Sequence, residues 1–218
     1  MRNILLLLMI CLVSISAHTQ VGISMGPIVQ HGFGTKKVFG GLNLGVEIPR
    51  NENSSFIARI YGTLKTTYQD STYAEAKAGV TPSVLLVDMK NGVSTYGIEG
   101  GMRRYFMGTN FDDYGFSLYG GSIFSLSFYR LSSKLLDPID ENSYTLPSRS
   151  QGSVIMLNFG LQGGMKKQFT WGNLFLDLSL TYAILATGSS NYTPGSKTSF
   201  SSLNFFAMLG YRRDIYWK

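Results

Sequence analysis

Cysteine, histidine and long apolar runs are all scarce in this chain, and each scarcity removes a class of function. The single cysteine, Cys11, lies in the N-terminal apolar stretch, and the two histidines are His18 and His31. One cysteine supports neither an internal disulfide nor a thiolate metal site. No cluster of His, Asp or Glu has the spacing of metal ligands, and no phosphate-binding or dinucleotide-binding motif occurs. We therefore expect no metal and no cofactor.

Charged residues are also few, at 15% of the chain, with 19 Lys and Arg against 13 Asp and Glu. The basic residues form no dense run, which argues against nucleic acid as a partner. Hydrophobic residues make up 44% of the chain, yet beyond the N-terminal stretch no apolar run approaches the roughly 20 residues of a membrane-spanning helix. A membrane protein built from helices is thereby disfavoured.

The N-terminal segment has the composition of a secretory signal. Arg2 precedes an apolar run from Ile4 to Ile15, and the small residues Ser16 and Ala17 follow it. This run is shorter than the roughly 20 residues of a spanning helix, so a cleaved signal fits better than an anchor. We expect residues 1–17 to be a signal peptide and residues 18–218 to be one exported domain.

Apolar residues occur at every second position in segment after segment. In one of them, Leu176, Leu178 and Leu180 alternate with Asp177 and Ser179. This period of two predicts β-strands with one apolar and one polar face. The eight segments are 21–30, 40–48, 56–65, 96–106, 116–128, 153–169, 174–186 and 203–212.

The length of these segments indicates a membrane. Soluble strands average about 5–6 residues, whereas a strand that crosses a bilayer needs about 9–11. Since no strand edge can stay unpaired in hydrocarbon, such strands must close on themselves. The sequence thus predicts an all-β fold, an eight-stranded antiparallel up-and-down transmembrane β-barrel with short periplasmic turns and longer extracellular loops.

The connecting segments alternate in length, as such a barrel requires. The short ones are rich in turn residues and cover 49–54, 107–115 and 170–173. The longer ones cover 32–38, 67–92, 132–151 and 188–198. Asn91-Gly92 is a hairpin motif inside the second long connector. We interpret residues 83–97 as strand that rises beyond the membrane. A ninth membrane-crossing strand would give the barrel an odd number of strands, and the chain would not return to the side where it started.

If the apolar faces contact lipid, the charged residues of the strands face the interior. An eight-stranded barrel has an interior that side chains fill, so these charges are predicted to pair and to close it. Glu47 is predicted to pair with Arg59, and Asp177 with Lys166 or Arg212. The predicted network consists of Glu47, Arg59, Glu99, Arg103, Lys166, Asp177 and Arg212. An ion-selective pore is the alternative.

Aromatic residues near the short turns are predicted to lie at a membrane interface, where amphipathic rings concentrate in such barrels. These residues are Tyr105, Phe106, Trp171, Tyr211 and Trp217.

The chain resembles the small eight-stranded outer-membrane β-barrel proteins, the OmpA/OmpX-like and PorT-like group of Bacteroidetes. The resemblance rests on the N-terminal segment, the eight alternating segments, YGIEGGMRRYF at 96–106 and the closing NFFAMLGYRRDIYWK. It implies the outer membrane of a Gram-negative bacterium, contact with membrane lipid and lipopolysaccharide, and insertion by the barrel-assembly machinery.

These features favour a non-enzymatic protein with a structural or interaction role, whose extracellular loops meet a protein or surface ligand. A narrow passive channel and an accessory component of a secretion or transport system are the alternatives. A lipid A acyl-modifying enzyme is a remote one, since His31 would have to meet Asp70 and Ser71 to activate a hydroxyl. A soluble lipocalin-like barrel would place its apolar residues inside instead.

Overall fold

The computed structural model describes residues 20–32, 37–110, 115–145, 152–189 and 201–216, so the predicted signal peptide at 1–17 lies outside the described residues. Across these ranges the chain forms ten strands. No helix in the described ranges is long and apolar enough to cross a membrane. The strands are β1 (Gln20–Gly32), β2 (Val38–Asn51), β3 (Ser54–Thr63), β4 (Thr66–Ala76), β5 (Val84–Met107), β6 (Phe116–Leu135), β7 (Tyr144–Thr145), β8 (Gly152–Phe169), β9 (Gly172–Ser189) and β10 (Leu203–Tyr216).

The strand pairings close into a ring through eight of these strands. In order around the ring, the strands are β1, β2, β3, β5, β6, β8, β9 and β10, and β10 pairs back onto β1. Every pairing is antiparallel, and neighbours in the ring follow one another along the chain apart from the insertion of β4 and β7. The predicted fold class, all-β with antiparallel up-and-down strands, is confirmed.

The predicted alternation sets the two faces of the ring. Along β3, Ile57, Arg59 and Tyr61 are buried while Phe56 and Ile60 are exposed. The large apolar side chains therefore lie mainly outside and the polar ones mainly inside, which is the inverse of a soluble β-barrel.

One predicted loop is in fact strand. Residues 67–76 lie in β4 and residues 84–92 in β5, and the two strands pair from Thr66 opposite Val93 to Glu75 opposite Val84. Asn91-Gly92 is not a turn, because Gly92 pairs with Thr67 on one side and Ser132 on the other. This pairing agrees with the interpretation of 83–97 as rising strand, and the Thr- and Tyr-rich sequence of β4 has the β propensity to match it.

β5 is the longest strand, at 24 residues, and it extends well past the ring. Its pairing with β3 ends where Gly62 meets Tyr96, and the twelve residues from there back to Val84 span about 40 Å along the strand. β4 flanks this extension on one side, the end of β6 flanks it on the other, and β7 pairs with the tip of β4. We call the part of β4, β5, β6 and β7 beyond the ring the protruding sheet.

Candidate functional site: the interior of the ring and its outer face

Every charged residue of the predicted network is buried inside the ring, toward the end where the short turns lie. Relative exposure is between 1% and 5% for all seven of them, which are Glu47, Arg59, Glu99, Arg103, Lys166, Asp177 and Arg212. Ions buried this deeply are stable only where charge and hydrogen-bonding capacity are both matched. The contacts among them therefore decide what the interior can do.

Asp177 on β9 is the centre of the network. One carboxylate oxygen, Oδ2, accepts from Arg59 Nη1 at 2.6 Å and also from Arg103 Nη2. The other oxygen, Oδ1, accepts from the Tyr119 hydroxyl. Because β3 and β9 lie four places apart in a ring of eight, the Arg59–Asp177 pair crosses the whole interior.

Glu47 on β2 is the second centre. Its Oε2 accepts from Arg103 Nη1 at 2.5 Å and lies 3.0 Å from Arg212 Nη1. Its Oε1 accepts from the hydroxyls of Ser55 and Tyr105, both at 2.6 Å. Arg103 thus bridges the two carboxylates, and its guanidinium carbon also lies 4.5 Å from the centre of the Tyr119 ring.

The partners differ from those that the alternation predicted. Arg59 pairs with Glu99 at 3.1 Å as well as with Asp177, while Glu47 pairs with Arg103 and Arg212. Sequence reasoning considered partners on neighbouring strands, but an arginine side chain in a narrow interior reaches strands on the far wall.

Two further residues complete the charge balance. Asp214, which the sequence analysis missed, pairs with Arg212 Nε at 2.7 Å. Lys166 Nζ donates to the carbonyl oxygens of Thr109 and Asn110, which cover the short-turn end. Four acidic residues (Glu47, Glu99, Asp177, Asp214) thereby face four basic ones (Arg59, Arg103, Lys166, Arg212), so the cluster is neutral.

Inward-facing glycines give the large side chains their space. A Cβ on Gly45 would lie 2.5 Å from Arg59 Cγ, and one on Gly22 would lie 2.3 Å from Arg212 Nε. A Cβ on Gly97 would lie 2.3 Å from the Tyr61 ring. These glycines appeared in the sequence only as members of a polar face, yet each faces a bulky partner.

Above the charged cluster, the interior is filled mainly by apolar residues that were not singled out from the sequence. At mid-height Ile28, Tyr61, Phe206 and Met208 form a buried apolar layer, with the rings of Tyr61 and Phe206 5.6 Å apart, edge to face. Near the long-connector end a second apolar layer consists of Phe39, Val93, Tyr129, Leu131, Val154 and Met156. Their sequence signal was weak, because each is a single apolar residue on an otherwise polar face.

Polar side chains join the two apolar layers. Gln30 Nε2 donates to the Tyr129 hydroxyl at 2.8 Å, and Asn158 Nδ2 donates to Ser127 Oγ at 2.9 Å. Ser127 in turn shares a 2.8 Å hydrogen bond with the Tyr61 hydroxyl. Hydrogen bonds therefore connect the two apolar layers to each other.

Three of the five predicted interfacial aromatics lie on the outer surface near the short turns. Trp171 stacks between Phe169 and Tyr211, with ring centres 5.2 and 5.5 Å away, and the Tyr211 hydroxyl donates to the Trp171 carbonyl at 2.5 Å. Phe106 is 72% exposed. The placement of Tyr105 at the interface is wrong, since its ring is buried inside with its hydroxyl on Glu47. Trp217 lies outside the described residues.

Two residues of the remote enzymatic hypothesis, His31 and Ser71, lie on β1 and β4. His31 Nδ1 lies 3.3 Å from the Lys37 carbonyl oxygen, while Ser71 Oγ donates to Asp88 at 2.7 Å. Within the described ranges, no group of three His, Cys, Asp or Glu is placed to hold a metal ion.

No protein-family model matches the chain, and no characterised protein matches its sequence. Solved structures match its fold at low identity. Ail, the attachment invasion locus protein of Yersinia pestis, in complex with the heparin analogue sucrose octasulfate, is 15% identical with a TM-score of 0.46, over 90% of this chain and 99% of that one. Neisserial surface protein A is 14% identical with a TM-score of 0.45, over 91% and 96%. The outer membrane protein OprG of Pseudomonas aeruginosa is 10% identical with a TM-score of 0.46, over 90% and 96%.

Proposed function

We propose that this chain is a non-enzymatic integral outer-membrane β-barrel protein with a closed interior, which meets its partners through the protruding sheet. In this proposal residues 1–17 direct export, the barrel-assembly machinery inserts the domain, and the short turns face the periplasm. The main support for this proposal is the apolar outer face of the ring.

That outer face is too large and too continuous for a protein surrounded by water. Soluble monomers rarely expose apolar patches beyond a few hundred Å². Here Leu42 and Leu161 are 69% and 66% exposed, and they belong to a set that covers all eight ring strands. The set includes Ile23, Met25, Leu44, Phe56, Ile60, Ile98, Phe124, Phe159, Leu178, Leu180 and Leu209. Hydrocarbon is the solvent that such a face requires.

The packed interior favours a structural or interaction role over a passive channel. A conducting lumen needs a continuous path of water, whereas here a neutral ion-pair cluster and two apolar layers lie in series. Arg59 and Asp177 from opposite walls meet directly at 2.6 Å across the interior.

The protruding sheet offers the contact surface that the interior does not. Tyr73 on β4 and Leu86 on β5 lie directly opposite each other in the pairing and are 65% and 59% exposed. Exposed aromatic and aliphatic side chains on an ordered surface are typical of interaction sites. An accessory role in a secretion or transport assembly would use this same surface.

Membrane extraction tests the central proposal. The protein is expected to stay with outer membranes after alkaline carbonate washing and to migrate differently in detergent gels before and after boiling. Recovery as a soluble periplasmic protein would contradict the proposal.

Conductance measurements separate the closed interior from the channel alternative. In planar bilayers the folded protein is expected to give no conductance above background, because the ion-pair cluster and the two apolar layers lie in series across the interior. Reproducible single-channel steps would favour the passive channel instead. A known outer-membrane pore reconstituted in the same way is the positive control.

A further inference from the structure

A cleft lies where the β2–β3 turn meets the end of β5. Its volume is about 730 Å³, within the 300–1,000 Å³ range usual for small-molecule sites. The lining combines two guanidinium groups, one carboxylate, amide and hydroxyl side chains and one apolar side chain. These residues are Arg50, Asn51, Glu52, Asn53, Ser54, Met102 and Arg104.

Local backbone structure sets the direction of both arginines. The β2–β3 register slips between Pro49 and Asn51, so Arg50 is the extra residue of a β-bulge, a feature that re-aims a side chain. On β5, Arg103 points into the charged cluster, and Arg104, the next residue, therefore points out. In the described part of the chain, neither Arg50 nor Arg104 has a carboxylate partner.

The turn between the arginines is held in place from both sides. Asn51 Oδ1 accepts from the backbone amide of Asn53 at 3.0 Å and from Ser54 Oγ at 2.7 Å. The Glu52 and Asn53 carbonyls accept from the backbone amides of Asn110 and Tyr105, both at 2.8 Å. The cleft therefore presents a pre-formed set of groups and does not depend on a loop closing over a ligand.

An apolar strip runs along the outer face from the cleft toward mid-membrane. Phe56 lies opposite Met102, and Ile60 lies opposite Ile98, with all four side chains between 40% and 56% exposed. Between these two pairs, the small residues Ala58 and Gly100 lie opposite each other and leave a shallow notch.

The length of the strip matches one leaflet. The seven residues from Ser54 to Ile60, six steps along the strand, rise about 20 Å, or about 15 Å across a bilayer for the usual tilt of roughly 40°. Half of a hydrocarbon core roughly 30 Å thick is about 15 Å.

We infer that this cleft binds the headgroup of a periplasmic-leaflet phospholipid that carries a phosphodiester and a primary ammonium group, that is, an ethanolamine phospholipid. Arg50 and Arg104 bind the phosphate, because a guanidinium presents paired N–H donors to its oxygens. Glu52 accepts hydrogen bonds from the ammonium group, and an acyl chain lies along the strip. The inference rests on the proposed outer-membrane function and its orientation.

Native mass spectrometry of the folded, delipidated protein tests the inference directly. Ethanolamine, choline and glycerol phospholipids with identical acyl chains are titrated in the same detergent. The ethanolamine lipid is expected to bind about tenfold tighter than the choline lipid, whose quaternary ammonium has no N–H to donate to Glu52. Equal binding of these two lipids, or tighter binding of the glycerol lipid, would overturn the assignment.

Variants locate the binding. Arg50→Gln/Arg104→Gln is expected to weaken ethanolamine-lipid binding by at least tenfold, and Glu52→Gln to remove the preference over the choline lipid. The matched control is Lys167→Gln/Arg213→Gln, which removes two other exposed cations near the same end of the ring. An equal loss in this control would show attraction to charge in general and would overturn the site.

A test of folding and a test of membrane association separate loss of binding from loss of structure. A gel-mobility shift on boiling confirms that each variant is folded, which is expected because all of these side chains lie outside the buried network. If the double variant does not fold, Arg104→Gln alone is compared with Arg213→Gln. Recovery of the unmodified protein in a soluble fraction would contradict the proposed function itself, whereas a membrane-bound protein without headgroup preference would contradict only this inference.

Discussion

The two ends of the interior are closed by different physical means. Near the short turns, charged side chains pair across the interior, with Asp177 and Glu47 as shared acceptors. Near the long connectors, Tyr129, Val154, Met156 and their neighbours fill the space mainly with apolar side chains. An ionic seal depends on every partner being present, whereas an apolar seal tolerates small losses by repacking. Substitutions at the two ends should therefore differ in size.

The largest effect is expected at Asp177. Asp177→Asn leaves Arg59 and Arg103 without their shared carboxylate, and breaking a buried ion pair typically costs about 3–5 kcal/mol. The free energy of unfolding, measured by urea titration of protein folded into vesicles, should fall by this amount. A loss below about 1 kcal/mol, typical of an exposed pair, would show that the cluster is hydrated rather than matched.

A smaller loss is expected in the upper layer. Met156→Ala removes a fully buried side chain, 1% exposed, and should cost about 2–3 kcal/mol, at the lower end of the range for such truncations. The same urea titration measures it, with Met165→Ala on the outer face as control, since Met165 is 42% exposed. If Met156→Ala costs more than Asp177→Asn, the contrast between the two seals is wrong.

The smallest effect is expected for alanine at two glycines of β5, one beside a buried ring and one beside open space. Gly97→Ala drives a Cβ to 2.3 Å from the Tyr61 ring and should cost about 1–2 kcal/mol, as overpacking does. Gly100→Ala, three residues along β5, meets nothing closer than a carbonyl oxygen at 3.9 Å and should cost nothing measurable. Paired urea titrations of the two variants compare them, and equal losses would mean that the Tyr61 ring moves aside freely.

The strands and their faces were predictable from sequence because alternation is a local property. The alternation of Leu176, Asp177 and Leu178 identifies the polar face of β9 without information from distant residues. The same locality explains why the seven charged residues, all of which are buried, could be assigned to the inner face. It also explains why 67–76 was misread as a loop, since pairing between β4 and the extended β5 compensates for the weak alternation there.

The partners and the upper layers were not predictable, because they depend on the curvature and width of the ring. Arg59 and Asp177 are 118 residues apart, and nothing near either of them in sequence identifies the other. Tyr105 was misplaced because its closeness to a turn outweighed the alternation, which puts it on the same inward face of β5 as Arg103 two residues earlier. Phe206 and Met208 were visible only as exceptions on a polar face.

The way the ion pairs span the ring has a consequence for assembly. Arg212 belongs to the last strand and Glu47 to the second, so this pair cannot form until β10 has met β1. Contacts between such distant parts of a chain are slow to form, because the entropy of closing the loop comes before any gain. The Arg212–Glu47 pair therefore forms only in the closed ring, where it ties β10 to β2 and helps to keep the ring closed.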